Sequence, residues 1–177
     1  MSKHSLIAAI ILALAIAATS CIGSGVELGD NVVAERFLGS SPVSVSGPDS
    51  DDGTMVSIAD DMVSGRRFDL TPSGFTIASG DITSEAPPGS DFGVSDGTLD
   101  VSGDQATVDF RMFSTNPDVT DARMTGTFSL SEATQALTSP GDSFLVNWDI
   151  SFDYLGFPVQ LQAEQELTGT DFRDLED

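Results

Sequence analysis

From about Thr54 onward, apolar and polar residues alternate along the chain with a period of two. In the clearest case, every second residue from Phe144 to Tyr154 is apolar. Similar alternation occurs at residues 108–112, 122–130 and 159–167. Successive side chains of a β-strand point to opposite faces, so the pattern indicates antiparallel strands with one apolar and one solvated face. No helical periodicity of comparable strength competes with it. We therefore predict an antiparallel β domain over residues 54–177.

Turn sequences between these runs allow strand pairs to be predicted, because a one-residue slip would turn the apolar set outward. Gly103-Asp104 suits a two-residue hairpin turn that places Leu99 opposite Val108. Three further connections predict Phe68 opposite Ile77 across a Thr71–Gly74 turn, Met112 opposite Met124, and Trp148 opposite Gln165 across a Leu155–Pro158 loop. In each hairpin the apolar sets of both strands then face the same side.

One stretch has helical character, Glu132–Leu137, with Ser129 and Glu132 at capping-box spacing. Residues 30–39 fit either a short helix or a first strand, and residues 40–53 fit a loop or tether rich in Ser, Pro, Asp and Gly. The predicted fold class is therefore all-β. It is an antiparallel meander of about seven or eight strands, forming a sandwich or a small barrel with one short helix.

The N-terminus has the features of a secretory signal peptide. Lys3 and His4 precede an apolar run from Leu6 to Ala18 that is too short to span a bilayer, which takes about 20 residues. A basic start, a short apolar stretch and small residues at a cleavage site are typical of export signals. We therefore predict that residues 1–20 are a signal peptide.

The sequence Ala18-Thr19-Ser20-Cys21 resembles the lipobox of bacterial lipoproteins. This resemblance covers residues 1–21 alone. It implies that Cys21 becomes the acylated first residue and anchors the chain in a membrane of the cell envelope, either the outer membrane or the outer face of the cytoplasmic membrane. Ile22 is a residue that in this family permits sorting to an outer membrane. Ordinary cleavage after Ser20 is the alternative, since Ala18 and Ser20 are both small.

The chain is strongly acidic, with 28 Asp and Glu against 7 Lys and Arg and a formal net charge of −21. Nucleic-acid binding needs clustered Lys and Arg, so we exclude that class of partner. Anionic lipid headgroups repel such a domain within about one Debye length, roughly 8 Å at physiological salt. We therefore expect residues 21–53 to act as a tether that holds the domain away from the membrane.

The composition also limits catalytic chemistry. Beyond residue 20 the chain has no Lys, no His, and no Cys other than Cys21. This excludes the common Ser-His-Asp systems, ordinary zinc sites and Schiff-base chemistry, so no cofactor is predicted. Carboxylates remain, and the alternation places six of them on the solvated face: Asp100, Asp109, Asp149, Asp153, Glu164 and Glu166. A solvated acidic face explains them without catalysis, and we predict that the chain is not an enzyme.

Three weaker features suggest binding sites. Asp49, Asp51 and Asp52 form an acid-rich segment that suits calcium, although they lack EF-hand spacing. Gln165 interrupts an apolar face opposite Trp148, where it fits either the mouth of an internal cavity or an amide satisfied by backbone groups. Adjacent Arg66 and Arg67 must point to opposite faces, and each suits an anionic ligand or, more simply, a neighbouring Asp.

Together these features predict an exported, lipid-anchored acidic β domain that binds a partner or has a structural role in the cell envelope. One alternative is a lipocalin-like carrier, which requires an internal cavity of about 300 Å³ or more lined by Phe and Met. A second is a carboxylate-dependent hydrolase, which requires two carboxylates within about 10 Å in one concave site. The sequence does not identify the protein or small-molecule partner.

Overall fold

The computed structural model describes residues 25–27, 34–70, 76–139 and 141–171. The predicted signal peptide, Cys21 and the Thr71–Gly74 turn lie outside these ranges. The helices are α1 (Gly53–Val63) and α2 (Leu130–Thr138). The strands are β1 (Gly25–Glu27), β2 (Ala34–Gly39), β3 (Ser44–Ser46), β4 (Arg67–Asp69), β5 (Thr76–Ala78), β6 (Gly80–Asp81), β7 (Thr83–Glu85), β8 (Phe92–Ser102), β9 (Gln105–Ser114), β10 (Val119–Ser129), β11 (Ser143–Tyr154) and β12 (Phe157–Asp171).

Within the described residues, a ten-stranded antiparallel sheet runs in the order β6-β8-β9-β10-β11-β12-β2-β4-β7, with β3 paired to β12 beside this path. Strands β6 and β7 are consecutive in the chain. Ile82 lies between them and donates its N–H to the carbonyl of Gly97 in β8 at 3.0 Å. The two ends of the sheet thus meet in one segment, and the sheet closes almost completely into a barrel. The all-β prediction is confirmed, and of its two architectures the barrel is the one formed.

Aromatic side chains occupy the middle of the barrel. Trp148 stacks on Phe68 with ring centroids 5.4 Å apart, and Phe110 packs 5.9 Å from Phe68. Gly126 makes room for the indole, because a Cβ at this position would lie 2.5 Å from a Trp148 ring carbon. The alternation therefore divides the strands as predicted. The six carboxylates assigned to the solvated face are exposed or partly exposed, and the alternating apolar residues form the core.

The predicted registers were correct at one hairpin and wrong by two residues at two others. Leu99 lies opposite Val108, and the intervening Gly103 has the positive φ of 64° that a two-residue turn needs. Met124 pairs with Phe110 and not with Met112. A slip of two residues leaves every side chain on its original face, so alternation alone does not choose between these registers.

The same two-residue slip separates the predicted and observed pairing of β11 with β12. Trp148 lies opposite Ala163, and Gln165 lies opposite Val146. The connection is a two-residue turn in which Leu155 and Gly156 have φ values of 53° and 83°. Positive φ at both central residues is the signature of a type I′ turn, the tightest common hairpin connection. The predicted four-residue loop was therefore wrong.

The predicted pairing of Phe68 with Ile77 was also wrong. Phe68 pairs with Phe37 of β2 on one side and with Ser84 of β7 on the other. Both edges of β4 are thus occupied by other strands. Ile77 lies opposite Val26 in a separate two-stranded sheet formed by β1 and β5. A favourable local turn sequence does not decide pairing when distant strands occupy both edges.

Helix α2 confirms the predicted helical segment, and the Ser129 hydroxyl accepts the N–H of Glu132 at its N-terminus. Helix α1 was not predicted. Asp52 caps it by accepting the N–H of Thr54 at 2.8 Å. Its buried residues Ala59, Met62 and Val63 pack into the barrel core.

The segment expected to be a tether contributes strands to the barrel. Of the two structures considered for residues 30–39, the described part forms strand β2, which pairs with the end of β12. Strand β3 falls in the stretch predicted as a loop and pairs with Gln162–Glu164, farther along the same edge. Neither of the helices in the described ranges is long and apolar enough to cross a membrane.

Candidate functional site

Two adjacent cavities lie on the outer side of β10, β11 and β12. Their volumes are about 480 and 440 Å³, and they share Asp149 and Gln162. We call them together the outer groove. Its remaining lining residues are Ser44, Val45, Ser46, Pro48, Arg123, Thr125, Thr127, Asn147, Trp148, Ile150, Ser151, Gln160, Leu161, Ala163 and Glu164.

The groove forms because β3 and the turn after it lie along the edge of β12. The Ser50 hydroxyl donates to the carbonyl of Gly47 at 2.7 Å within this turn. Asp49 then accepts the backbone N–H of Gln160 at 2.7 Å, which fastens the turn to β12. The polar part of the floor consists of outward residues of the sheet, because alternate positions face solvent. The result is a groove bordered by β3 and the turn after it.

Several hydrogen-bonding side chains of the groove are already paired with other protein groups. Gln162 donates its amide N–H to Asp149 at 3.0 Å. At the border, the Arg123 guanidinium forms two hydrogen bonds with Asp109, one from Nε to Oδ1 at 2.7 Å and one from a terminal nitrogen to Oδ2. These bonds lower the pKa of Asp109 and raise the pKa of Arg123. The single cation of the groove is therefore already neutralised by a carboxylate.

Asp149 and Glu164 both line the second cavity. Asp149 lies opposite Gln162 and Asn147 lies opposite Glu164, so the two acids are diagonal neighbours with Cα atoms about 7–8 Å apart. This spacing meets the distance requirement of the hydrolase alternative. Both residues are exposed, however, whereas a general acid is usually held in an apolar pocket that excludes water.

Gln165 and Trp148 are brought together inside the barrel. The Trp148 indole N–H donates to Gln165 Oε1 at 3.1 Å, and Gln165 Nε2 donates to the carbonyls of Ser40 and Val63, each at 3.0 Å. Gln165 is only 1% exposed. The amide is thus satisfied by the protein itself, which is the simpler of its two predicted roles.

The three acids considered for calcium do not converge on one point. Asp49 binds the N–H of Gln160, and Asp52 caps α1. Asp51 is exposed. In the parts of the chain that the structure describes, no group of three or more His, Cys, Asp or Glu residues is arranged to hold a metal ion.

Arg66 and Arg67 point to opposite faces, as predicted, but Arg66 does not pair with an Asp. It is fully buried, its Nε donates to the carbonyl of Met62, and one terminal nitrogen donates to the carbonyl of Phe92 at 2.8 Å. The other terminal nitrogen has no partner. Burial lowers the pKa of Arg66 to about 10, against the opposing effect of Asp61. Arg67 is exposed.

Sequence reasoning missed both the groove and the role of Arg66, because each depends on an element that it did not predict. The groove needs β3, and Arg66 caps the C-terminal end of α1. A usable signal existed for α1, since Met55, Ile58, Ala59 and Met62 have the spacing of an apolar helix face. Comparisons of this chain with protein-family models, known proteins and solved structures find no match.

Proposed function

We propose that this chain is an exported, lipid-anchored, non-enzymatic domain of the cell envelope that binds a polar ligand in the outer groove. One observation carries the binding part of the proposal: stacked aromatic rings fill the middle of the barrel, while the outer groove presents ordered hydrogen-bonding side chains. The export and anchoring parts rest on the N-terminal sequence and its lipobox resemblance.

The chemistry of the groove favours a neutral, hydroxyl-rich ligand, such as an envelope glycan. Its amide and hydroxyl groups both donate and accept hydrogen bonds, which suits sugar hydroxyls. Its cation is paired with Asp109, and Asp149 and Glu164 add negative charge. With a net charge of −21 on the whole chain, a polyanionic ligand would be repelled.

A lipocalin-like carrier is the second candidate, because the barrel-like fold is compatible with it. Its apolar ligand would have to lie among Phe68, Phe110 and Trp148, where the rings now contact one another. A fluorescent fatty-acid probe tests this role. Saturable binding of the probe that Gln162→Trp leaves unchanged would support the carrier over the groove.

The groove is tested by placing a large side chain in it. We expect Gln162→Trp to lower binding to a neutral oligosaccharide array at least about tenfold, which corresponds to roughly 1.4 kcal/mol. Thr98→Trp is the matched control, because Thr98 is exposed on β8 and does not line the groove. Binding that survives Gln162→Trp, or wild-type protein that binds none of the oligosaccharides, would refute the groove as the site.

Anchoring is tested by mass spectrometry of the N-terminus after expression of the full chain in a diderm bacterium. We expect the mature chain to begin at Cys21 with a mass increase from acyl groups, and to sediment with membranes. The Cys21→Ser variant should lack the added mass. An unmodified Cys21, or a chain that begins elsewhere, would refute lipid anchoring.

A further inference from the structure

Strand β1 fixes the chain to the barrel very close to the predicted anchor. Gly25 pairs with Ala78, Val26 with Ile77, and Glu27 with Thr76. Only residues 22–24 separate β1 from Cys21. The long tether expected over residues 21–53 is therefore interrupted near its beginning.

The attachment point lies at one particular end of the barrel. Ser79 directly follows β5, and its hydroxyl accepts the N–H of Val101 on β8 at 2.9 Å. Val101 is two residues before the Gly103-Asp104 turn. Helix α2 begins at the same place, because the N–H of Leu130 donates to the carbonyl of Asp104 at 2.8 Å. We call this region, comprising the Gly103-Asp104 turn and the first turn of α2, the α2 end.

We propose that the α2 end of the barrel faces the lipid bilayer at close range; this inference rests on the proposed anchoring at Cys21. Four Cα–Cα steps lead from Cys21 to Gly25, and a fully extended chain covers at most about 3.6 Å per residue. The attachment point thus lies within about 14 Å of the anchored residue. A chain this short restricts both the distance and the orientation of the domain.

Electrostatics specify the kind of membrane surface that this arrangement tolerates. The α2 end carries the exposed acids Asp104 and Glu132, and Asp100 lies beside it. Hydrogen bonds from the backbone and hydroxyl of Ser131 lower the pKa of Asp104, so it is ionised at neutral pH. Anionic headgroups within about 8 Å would repel these charges. The fitting partner is therefore a zwitterionic headgroup surface, with the acyl chains supplying the attraction.

The opposite end carries an exposed apolar tip. Leu155 and Phe157 flank Gly156 at the β11–β12 turn and are 60% and 73% exposed. Strand β8 extends from Val101 at the α2 end to Phe92 near this end, which is nine residue steps, or about 30 Å along the strand and less along the tilted barrel axis. The apolar tip therefore points away from the bilayer and does not insert into it.

The test couples the chain beginning at Cys21 to a maleimide lipid in phosphatidylcholine vesicles, through the thiol of its one Cys. A dye is placed through an azido amino acid at Ser102, which is exposed at the α2 end, or at Phe157. Lipids with a nitroxide headgroup act as short-range quenchers. We expect Ser102 dye to be quenched at least about threefold more than Phe157 dye. A flexible Gly-Ser linker of about 20 residues between Ser24 and Gly25 should bring the two values together.

Equal quenching at both positions without the linker, or stronger quenching at Phe157, would overturn the orientation. Circular dichroism of each labelled variant establishes that it is folded. Chemical coupling does not require natural acylation, so this result is independent of the mass-spectrometric test. Loss of the native acyl mass would refute the proposed anchoring and leave the measured orientation standing. A native acyl mass combined with equal quenching, or with stronger quenching at Phe157, would refute the orientation alone.

Discussion

Two buried polar side chains bind the C-terminal turn of α1, one from strand β12 and one from the residue that precedes β4. Gln165 reaches the carbonyl of Val63 from β12, and Arg66 reaches the carbonyl of Met62 while also bonding the start of β8. Gln165 uses both its oxygen and its nitrogen in hydrogen bonds with protein groups. Arg66 is charged and has one terminal nitrogen without a partner.

The comparison shows that burial of a polar group does not by itself indicate its contribution to stability. A neutral amide with complete hydrogen bonding stabilises the arrangement that it joins, because its removal leaves several partners unpaired. A buried charge with incomplete bonding carries a desolvation cost that offsets much of its gain. We therefore expect Gln165 to contribute more to stability than the larger Arg66.

The largest effect is expected for Gln165→Leu. This change leaves the Trp148 N–H and the carbonyl of Val63 without their side-chain partner, whereas the carbonyl of Ser40 keeps the N–H of Gly65 at 3.2 Å. Each buried unpaired group costs about 1–3 kcal/mol. We expect the free energy of unfolding to fall by about 3–5 kcal/mol. Urea denaturation followed by far-ultraviolet circular dichroism measures it, because this signal does not depend on Trp148.

Gln162→Leu is the matched control, because Gln162 lies on the same strand but faces solvent, and its cost should stay within about 0.5 kcal/mol. In the double variant with Trp148→Phe the indole N–H is absent, so the combined cost should be smaller than the sum of the single costs. Equal costs for Gln165→Leu and Gln162→Leu would contradict the hydrogen-bond network around Gln165.

Arg66→Met should have a smaller effect. It leaves the carbonyls of Met62 and Phe92 without donors, but it also removes a buried charge whose desolvation lowers the pKa of Arg66 to about 10. We expect a net loss of about 1–2 kcal/mol by the same urea assay. Arg67→Met, at the exposed neighbouring position, should change stability by no more than about 0.5 kcal/mol.

A loss of stability for Arg66→Met as large as that for Gln165→Leu would contradict the expectation that Gln165 contributes more to stability than Arg66. It would mean that the guanidinium is fully satisfied, for example through a buried water on its third nitrogen. A gain in stability would instead show that the desolvation cost exceeds the value of both hydrogen bonds.

The division between core and solvated face was predictable from the sequence, and strand register was only partly so. Period-two alternation assigns each residue to a face, and the Gly103-Asp104 turn selects the correct pairing of Leu99 with Val108. Where the turn was misjudged, as at Leu155-Gly156, the pattern allowed a register two residues away that is equally consistent with burial. Face is a local property, whereas register depends on turn geometry.

The groove and the anchoring geometry depend on contacts between distant parts of the chain. Strand β3 pairs with Gln162–Glu164, more than 100 residues away, and β1 pairs with Thr76–Ala78. Such short strands have too few residues to show a period. Helix α1, in contrast, is local and was predictable from its apolar spacing and from Asp52 at its N-cap.

The smallest effect is expected at the ion pair beside the groove. The side chains of Asp109 and Arg123 are 29% and 54% exposed, so Asp109→Asn should cost no more than about 1 kcal/mol at pH 7 and low salt. Asp153→Asn is the control for the smaller charge repulsion that follows when any one charge is removed from an acidic surface.

Because the folded pKa of Asp109 lies below its ordinary value of 3.8, the contribution of Asp109 to stability is present above that pH and is lost as the pH falls through the folded pKa. The stability difference between the two variants should therefore vanish in strong acid and shrink in about 1 M salt. A difference that persists under both conditions would show that Asp109 acts through packing and not through its charge.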